Sequence, residues 1–295
     1  MRDYLYIENI GKKIVDNLKS ELDRVGLMYR VFYRVKTMDS MEKKIRTKGY
    51  GIGYNKLTDI LGIRFTLYFK DDVIVVSDFL KRNKNFDHES SEKLLPQEFK
   101  PERLNLTFKF DEEQTKEILA LLGSDSDKIA TTYEVQLRTV LSEGWHEVEH
   151  DLRYKANEDW IGHEDLLRNL NGLFATLETS DFTMLKIFDT LSHRHYKNGN
   201  LSALLKTKFR LRLKSNKLDL GIIKLFEEKP HLLRKIIKLE RDEYLERIFH
   251  SKVAVPLNLD NLVQIINEIY IDDEDLRKIA APHIIEDIQI GLARN

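Results

Sequence analysis

The stretch Thr132 to Lys155 reads T-Y-E-V-Q-L-R-T-V-L-S-E-G-W-H-E-V-E-H-D-L-R-Y-K. Its first part has a period of two. Val135 and Leu137 fall on one face, and Glu134, Gln136 and Arg138 on the other, as in a strand with a core side and a polar side. At Thr139 the period changes. Leu141, Trp145, Val148 and Leu152 then recur at helical spacing, which predicts an apolar stripe opposite His146, His150, Arg153 and Tyr154. A strand edge of Glu-Gln-Arg leading into a helix with His, Arg, Tyr and Lys155 is rich in groups that bind phosphate and metal. The bland alternative is a satisfied polar strand followed by a solvated helix face.

His146-Glu147-Val148-Glu149-His150 also fits H-E-x-x-H, in which two histidines at i and i+4 hold zinc. Glu149 stands where zinc proteases usually carry a small or apolar residue. No histidine follows at the metzincin spacing, because Asp151, Leu152, Arg153, Tyr154 and Lys155 come next. Glu178 is the available distant third ligand. A zinc protease is therefore a minor reading.

The 295 residues suffice for a full core and for one domain with an extension, or two domains. The 48 Lys and Arg balance the 49 Asp and Glu, so global charge does not advertise nucleic acid. With no cysteine there are no disulfides, thiol nucleophiles or Cys-ligated zinc. The first thirteen residues have no apolar signal core and no run approaches a membrane span, so a cytoplasmic protein without membrane contact is expected.

Outward from the central stretch, Tyr4 to Gly26 reads as an amphipathic helix, and Tyr29 to Thr37 as a strand. Asp39 or Ser40 can start a helix carrying Lys43, Lys44, Arg46 and Lys48. The run R-V-K-T-M-D-S-M-E-K-K sets Arg34, Lys36, Ser40 and Lys44 about one helix N-terminus, a reasonable polyphosphate cradle. A basic surface helix is the plainer alternative. Tyr50 to Tyr54 is a turn-rich link. Asp59 opens the strand D-I-L-G-I-R-F-T-L-Y-F, where a carboxylate on a rigid element can hold magnesium against a triphosphate. Asp71 to Lys84 reads as a helix, Asn85 to Pro101 as a polar loop, Leu104 to Phe110 as a strand and Glu112 to Leu122 as a helix. The expected fold is α+β: a mixed β-sheet with flanking helices over residues 1–156, then an all-helical extension over 157–295.

R-V-K-T-M-D-S-M-E-K-K, D-I-L-G-I-R and Y-E-V-Q-L-R-T…W…E-H-D-L-R-Y-K, in this order, resemble the synthetase domain of RelA/SpoT-like alarmone (ppGpp) synthetases. The resemblance covers about half the chain. It implies a nucleotidyltransferase-like fold that moves the β,γ-diphosphate of ATP onto the 3′-hydroxyl of GDP or GTP, with magnesium. By motif, Arg34, Lys36, Ser40 and Lys44 would hold the ATP phosphates and Asp59 would ligate the metal. Glu134 would be the second acid, as metal ligand or base. Arg64, Gln136, Arg138, His150, Tyr154 and Lys155 would complete a charge-neutralising wall. His150-Asp151 superficially resembles the metal dyad of the family's hydrolase domain, but nothing upstream supports one, so synthesis alone is expected.

One segment departs from the family. The G-Y-x-S-x-H run, whose Tyr stacks on the acceptor guanine, has no match between Lys70 and Thr132; F-K-P-E-R-L-N-L-T-F-K-F stands there. Arg103 or Phe99 would have to stack on the acceptor base, and Asn105 to read its edge. An adenosine nucleotide or the 3′ end of tRNA is thus a second acceptor class. A non-catalytic nucleotide-binding regulatory module is a reading of another kind, opposed by the retained pair Asp59 and Glu134.

Beyond Ala156, Asp165 to Glu178 and Phe182 to His193 read as two helices. Lys206 to Lys214 carries five cations in nine residues. That is a solvated basic helix face or a contact for RNA or tRNA. A homo-oligomer is compatible with this composition.

Overall fold

Residues 2–48, 56–58, 60–90, 104–123 and 126–293 are described by the computed structural model. The long amphipathic helix α1 (Arg2–Val25) leads into strand β1 (Tyr29–Val35) and helix α2 (Met38–Lys48). Strand β2 (Leu61–Leu67), helix α3 (Lys70–Lys81), strands β3 (Phe86–Ser90) and β4 (Leu104–Lys109), helix α4 (Glu112–Leu122) and strand β5 (Thr132–Thr139) follow. Helix α5 (Val140–Glu149) grows directly from the end of β5 and passes into a π-helical turn, His150–Tyr154.

The sheet order is β1-β2-β5-β4-β3. Among the described strands β2 and β5 run parallel and the other pairs are antiparallel, which makes the sheet mixed. Alternation sets its two faces. Leu61, Ile63, Phe65 and Leu67 of β2 and Val135 and Leu137 of β5 are fully buried, whereas Arg64, Thr66, Glu134 and Gln136 are half-buried on the other face. A Cβ on Gly11 of α1 would lie 2.9 Å from Leu61, so α1 packs closely on the apolar face at that point.

Two sequence expectations need correction in this part. Asn85 to Pro101 was expected to be a loop, yet Phe86–Ser90 forms the edge strand β3. Its alternation is invisible because all but Phe86 are polar. Ion pairs Lys81–Glu89 (2.7 Å) and Lys109–Asp87 (2.8 Å) mark it as a charged edge, a usual guard against strand addition. Helix α2 starts at Met38, with the Thr37 hydroxyl accepting from the Ser40 amide at 3.3 Å; the cap lies before Asp39 and Ser40. The link Tyr50 to Tyr54, and Phe99 and Arg103 of the acceptor segment, lie outside the described residues.

The next helix, α6 (Glu164–Lys197), is one element of 34 residues rather than two. The polar triplet Thr179-Ser180-Asp181 looks like a break. Instead the Thr179 and Ser180 hydroxyls bond back to the carbonyls of Ala175 (2.9 Å) and Thr176 (2.7 Å), so the helix satisfies them internally.

The chain divides into two compact units, residues 1–18 with 29–182, and residues 19–28 with 183–295. The expected boundary was 156/157. The first half of α6 belongs with the sheet because Trp145 packs at a tilt against Phe174 (4.9 Å) and donates to the Leu170 carbonyl (3.2 Å). Residues 19–28 belong with the helices because Arg24 donates to the carbonyls of Ile248 and Val253, and Arg212 N–H donates to Gly26 O at 2.7 Å. Gly26 takes φ +82°, a left-handed turn that an L side chain resists.

The helical unit continues through α7 (Leu201–Phe209), α8 (Leu220–Glu228), α9 (Pro230–Lys238), α10 (Arg241–His250), α11 (Leu259–Ile266), α12 (Glu274–Ile279) and α13 (Pro282–Ala293). Its core holds the T-shaped pair Phe209–Tyr244 at 5.2 Å. No described helix is long and apolar enough to cross a membrane.

Candidate active site

Strand register gathers the polar side chains into lateral rows. Arg34, Gly62, Glu134 and Thr107 are successive partners across β1, β2, β5 and β4. Two residues along, Phe32, Arg64, Gln136 and Asn105 form the next row, and Arg30, Thr66 and Arg138 the third. At a strand spacing of about 4.8 Å, the Arg34 and Glu134 backbones stand roughly 10 Å apart with only glycine between them. A Cβ on Gly62 would meet none of the described residues within 4 Å. The row therefore sets a cation on one strand and a carboxylate two strands away, with a glycine between them. Its width suits a phosphate chain.

The second row is closed by helix α5. Arg64 donates through Nε to Gln136 Oε1 (2.9 Å) and through Nη1 to Glu143 (2.7 Å) and Glu147 (2.5 Å). Burial works against the guanidinium charge, but hydrogen bonds and attraction from Glu143 and then Glu147 outweigh it, and its pKa is raised. Arg64 was expected to line a phosphate wall as a cation; it is instead locked between two acids. Neither Glu143 nor Glu147 stood out in the sequence. The signal was there: two acids at i and i+4 on the helix that follows the strand.

In the third row Arg138 is buried and donates to the Leu137 carbonyl (2.9 Å) and to Asn105 Oδ1 (3.1 Å). Asn105 thus meets the wall through its amide oxygen. Beyond Arg138 opens a cavity of about 220 Å³ lined by Lys70, Leu104, Phe174 and Asp181 among others. Asp181 is buried, accepts from the Thr139 hydroxyl at 2.7 Å, and its pKa is raised, chiefly by burial.

Ser40 sits three residues into the cap of α2, where its hydroxyl accepts from Thr37 Oγ1 at 2.8 Å. Arg34 is exposed, and Lys36 and Lys44 are half-buried. Asp59 lies outside the described residues. The backbone on either side is anchored: Thr58 O accepts from the Thr132 hydroxyl (3.2 Å), and Ile60 O from the Lys36 amide (2.9 Å).

The helix after β5 departs from the expected stripe. Val148 and Leu152 are 47% and 65% exposed, whereas Trp145, His146 and Glu149 are buried. Val148 already faces outward within α5, and beyond it the π-turn at His150–Tyr154, with Arg153 paired to Glu149, shifts the period again at Leu152. His150 stacks on Tyr154 (5.9 Å, 15°), its Nδ1 lies 2.8 Å from Asp151, and Lys155 donates to the same carboxylate at 2.6 Å. The Lys155 and then the His150 hydrogen bonds hold the Asp151 carboxyl below its ordinary range. These three wall residues are thus brought together as one local cluster. Among the described residues, no group of three or more His, Asp or Glu could hold a metal ion, so H-E-V-E-H has no third ligand there.

Residues 33–159 match the model of the region found in RelA / SpoT proteins. Among solved structures, the chain is similar to small alarmone synthetase 1 from Bacillus subtilis: 22% identity, TM-score 0.46, covering 63% of this chain and 94% of that one. Small alarmone synthetase 2 from the same organism gives 20% identity, TM-score 0.44, and 63% and 97% coverage. A GTP pyrophosphokinase family protein from Streptococcus pneumoniae gives 18%, 0.44, and 68% and 93%. Comparison with curated proteins finds no match.

Proposed function

Because the chain carries the region found in RelA / SpoT proteins over residues 33–159, we propose that it is an ATP-dependent pyrophosphokinase of the (p)ppGpp-synthetase type. The observation that carries the reading is the register that sets Arg34, Gly62 and Glu134 in one row across β1, β2 and β5. The acceptor's 3′-oxygen attacks the β-phosphorus of ATP, the bond from that phosphorus to the α,β-bridging oxygen breaks, and AMP leaves. Such a transfer asks for alignment and for cations about the spreading charge, with little covalent work by the protein.

Arg34, with Lys36 and Lys44 close by in the chain, holds and orients the phosphates from the β1 side. Glu134, on a rigid strand across the gap, accepts the proton of the attacking hydroxyl. Oxygen donors such as Glu134 and Asp59 suit magnesium, which when bound supplies further neutralisation of the phosphates. Arg64 orients Gln136 and α5 beside the gap through its paired acids. GDP or GTP is the acceptor.

Incubating the protein with γ-labelled ATP, magnesium and separate pools of GDP, GTP, ATP and tRNA tests this. Label transferred to GDP or GTP is the expected result. Transfer only to an adenosine nucleotide or to tRNA changes the acceptor and keeps the chemistry. Nucleotide binding without any transfer replaces the enzyme with a regulatory binding module. Folding does not favour the tRNA outcome. Of Lys206 to Lys214, Arg210 is buried, Lys206 and Lys208 are half-buried, and Arg212 and Lys214 are exposed. The stretch is not the solvated basic helix face that was expected.

A further inference from the structure

The cavity of about 220 Å³ beyond Arg138 takes no part in the reaction proposed above. All its lining residues lie within the unit of residues 1–18 and 29–182. Leu137 and Thr139, which line it, alternate onto the buried side of β5, whereas Glu134 falls on the other side. Thr139 also stands five residues beyond Glu134, about 17 Å along the strand. A molecule in this cavity is therefore a different ligand from one held at the row of Arg34 and Glu134.

Volume sets the first limit on that ligand. Sites for drug-sized molecules run from about 300 to 1,000 Å³, so this one takes something compact, smaller than a nucleotide. The walls set the second. Val73 and Ile74 of α3, Leu104 of β4 and Phe174 of α6 supply an apolar surface, which favours a hydrocarbon group.

The charged groups are sorted by element. Helix α6 brings Glu178 and Asp181, three residues apart and so on one face. The start of α3 brings Lys70, and the end of β5 brings Arg138. Asp181 is 4% exposed. Its Oδ2 accepts from Thr139, but its Oδ1, also buried, has no hydrogen-bond partner among the described residues. Such an oxygen is an acceptor that a ligand's N–H would satisfy.

Two acids from one element, two cations from two others and an apolar wall match a molecule with an ammonium, a carboxylate and a hydrocarbon group. We infer that the cavity binds a free α-amino acid with an apolar side chain. Its ammonium donates to Asp181 Oδ1 and to Glu178. Its carboxylate accepts from Lys70, and Arg138, already donating to the Leu137 carbonyl and to Asn105, adds positive charge. This site does not depend on the proposed diphosphate transfer, so the two readings fail separately.

Titration calorimetry on the full chain tests it with three probes: L-leucine, isoamylamine (leucine without its carboxylate) and isocaproate (leucine without its ammonium). Leucine should bind with a Kd between about 10 µM and about 1 mM, and each truncated probe at least about 10-fold more weakly. L-Glutamate and L-lysine should not compete, because their charged ends would meet the apolar wall. Asp181→Asn should weaken leucine about 10-fold or more and leave isocaproate unchanged, since isocaproate has no ammonium to lose. A merely structural role for Asp181 would weaken both. If Asp181→Asn does not fold, Glu178→Gln takes its place with the same pair of readings. Absence of leucine binding at about 10 mM, as for a cavity that holds water only, overturns the inference. So does either truncated probe binding as tightly as leucine, because one charged end would then go unread.

Discussion

Two neighbouring rows on one sheet face are built from similar side chains and handle charge in opposite ways. In the row of Arg34 and Glu134, a cation and an acid stand on either side of a glycine whose added Cβ would meet none of the described residues within 4 Å. In the row of Arg64 and Gln136, the cation is filled by Glu143 and Glu147 from the helix above. A pair held about 10 Å apart gains little direct attraction at surface dielectric, so Arg34 and Glu134 do not neutralise each other across the row. The closed row spends its capacity internally and fixes α5 over the sheet.

The largest effect should come from the row of Arg34 and Glu134. Glu134→Gln keeps the shape and removes the charge, and should lower diphosphate transfer from labelled ATP by about 10²-fold or more with an unchanged melting curve. Asp59→Asn should match it if the two acids act together. Activity within a few-fold of wild type in both variants would break the contrast between the rows.

Gly62→Val probes the gap itself. No described residue lies within 4 Å of an added Cβ, and valine suits a strand, so stability should hold or rise. The same methyl groups narrow the space between Arg34 and Glu134, and kcat/KM for ATP should fall about 10-fold through misplacement of the phosphates. A stable variant with full activity would mean that the gap is not used.

The closed row should answer in stability. Glu143, 18% exposed, shares Arg64 with Glu147, which is 56% exposed. Glu143→Gln should cost about 1–3 kcal/mol, as expected for a partner lost from a partly buried network. Glu147→Gln should cost less than about 1 kcal/mol, being closer to a surface pair. Urea midpoints measured side by side decide the order.

The smallest effect is a pH dependence at Asp181, beside the third row. Burial raises its carboxyl pKa in the folded state. The folded protein therefore holds a proton there that the unfolded chain releases. The stability this gives is full below the ordinary carboxylate range and is lost as pH rises through the folded value. Asp181→Asn keeps an acceptor for Thr139 and does not titrate. Its melting temperature relative to wild type should rise between about pH 4 and pH 8 by a few degrees. A constant difference would remove this account.

Much of the sheet could be read directly. Strict alternation in β2 and β5 put Ile63, Phe65, Val135 and Leu137 on one side, because a period of two leaves each residue a single face to choose. The same alternation put Arg64, Gln136, Arg138 and Glu134 together on the other side before any pairing was known. Strand β3 escaped because an edge strand with charged side chains has no apolar face to betray it. The break expected in α6 failed because hydroxyls that favour turns can equally bond to the helix's own carbonyls.

The sequence by itself determined which residues share a face, since that depends only on local periodicity and chirality. Only the tertiary structure decided who meets whom. The order β1-β2-β5-β4-β3 brings Arg34 opposite Glu134, a hundred residues away, and lays Glu143 and Glu147 on Arg64. It also turned Val148 of α5 and Leu152 of the π-turn outward, and Arg210 inward, where it lies 3.7 Å from Asp189. Long-range pairing and burial are set by the summed packing of the whole chain. No local window contains that sum.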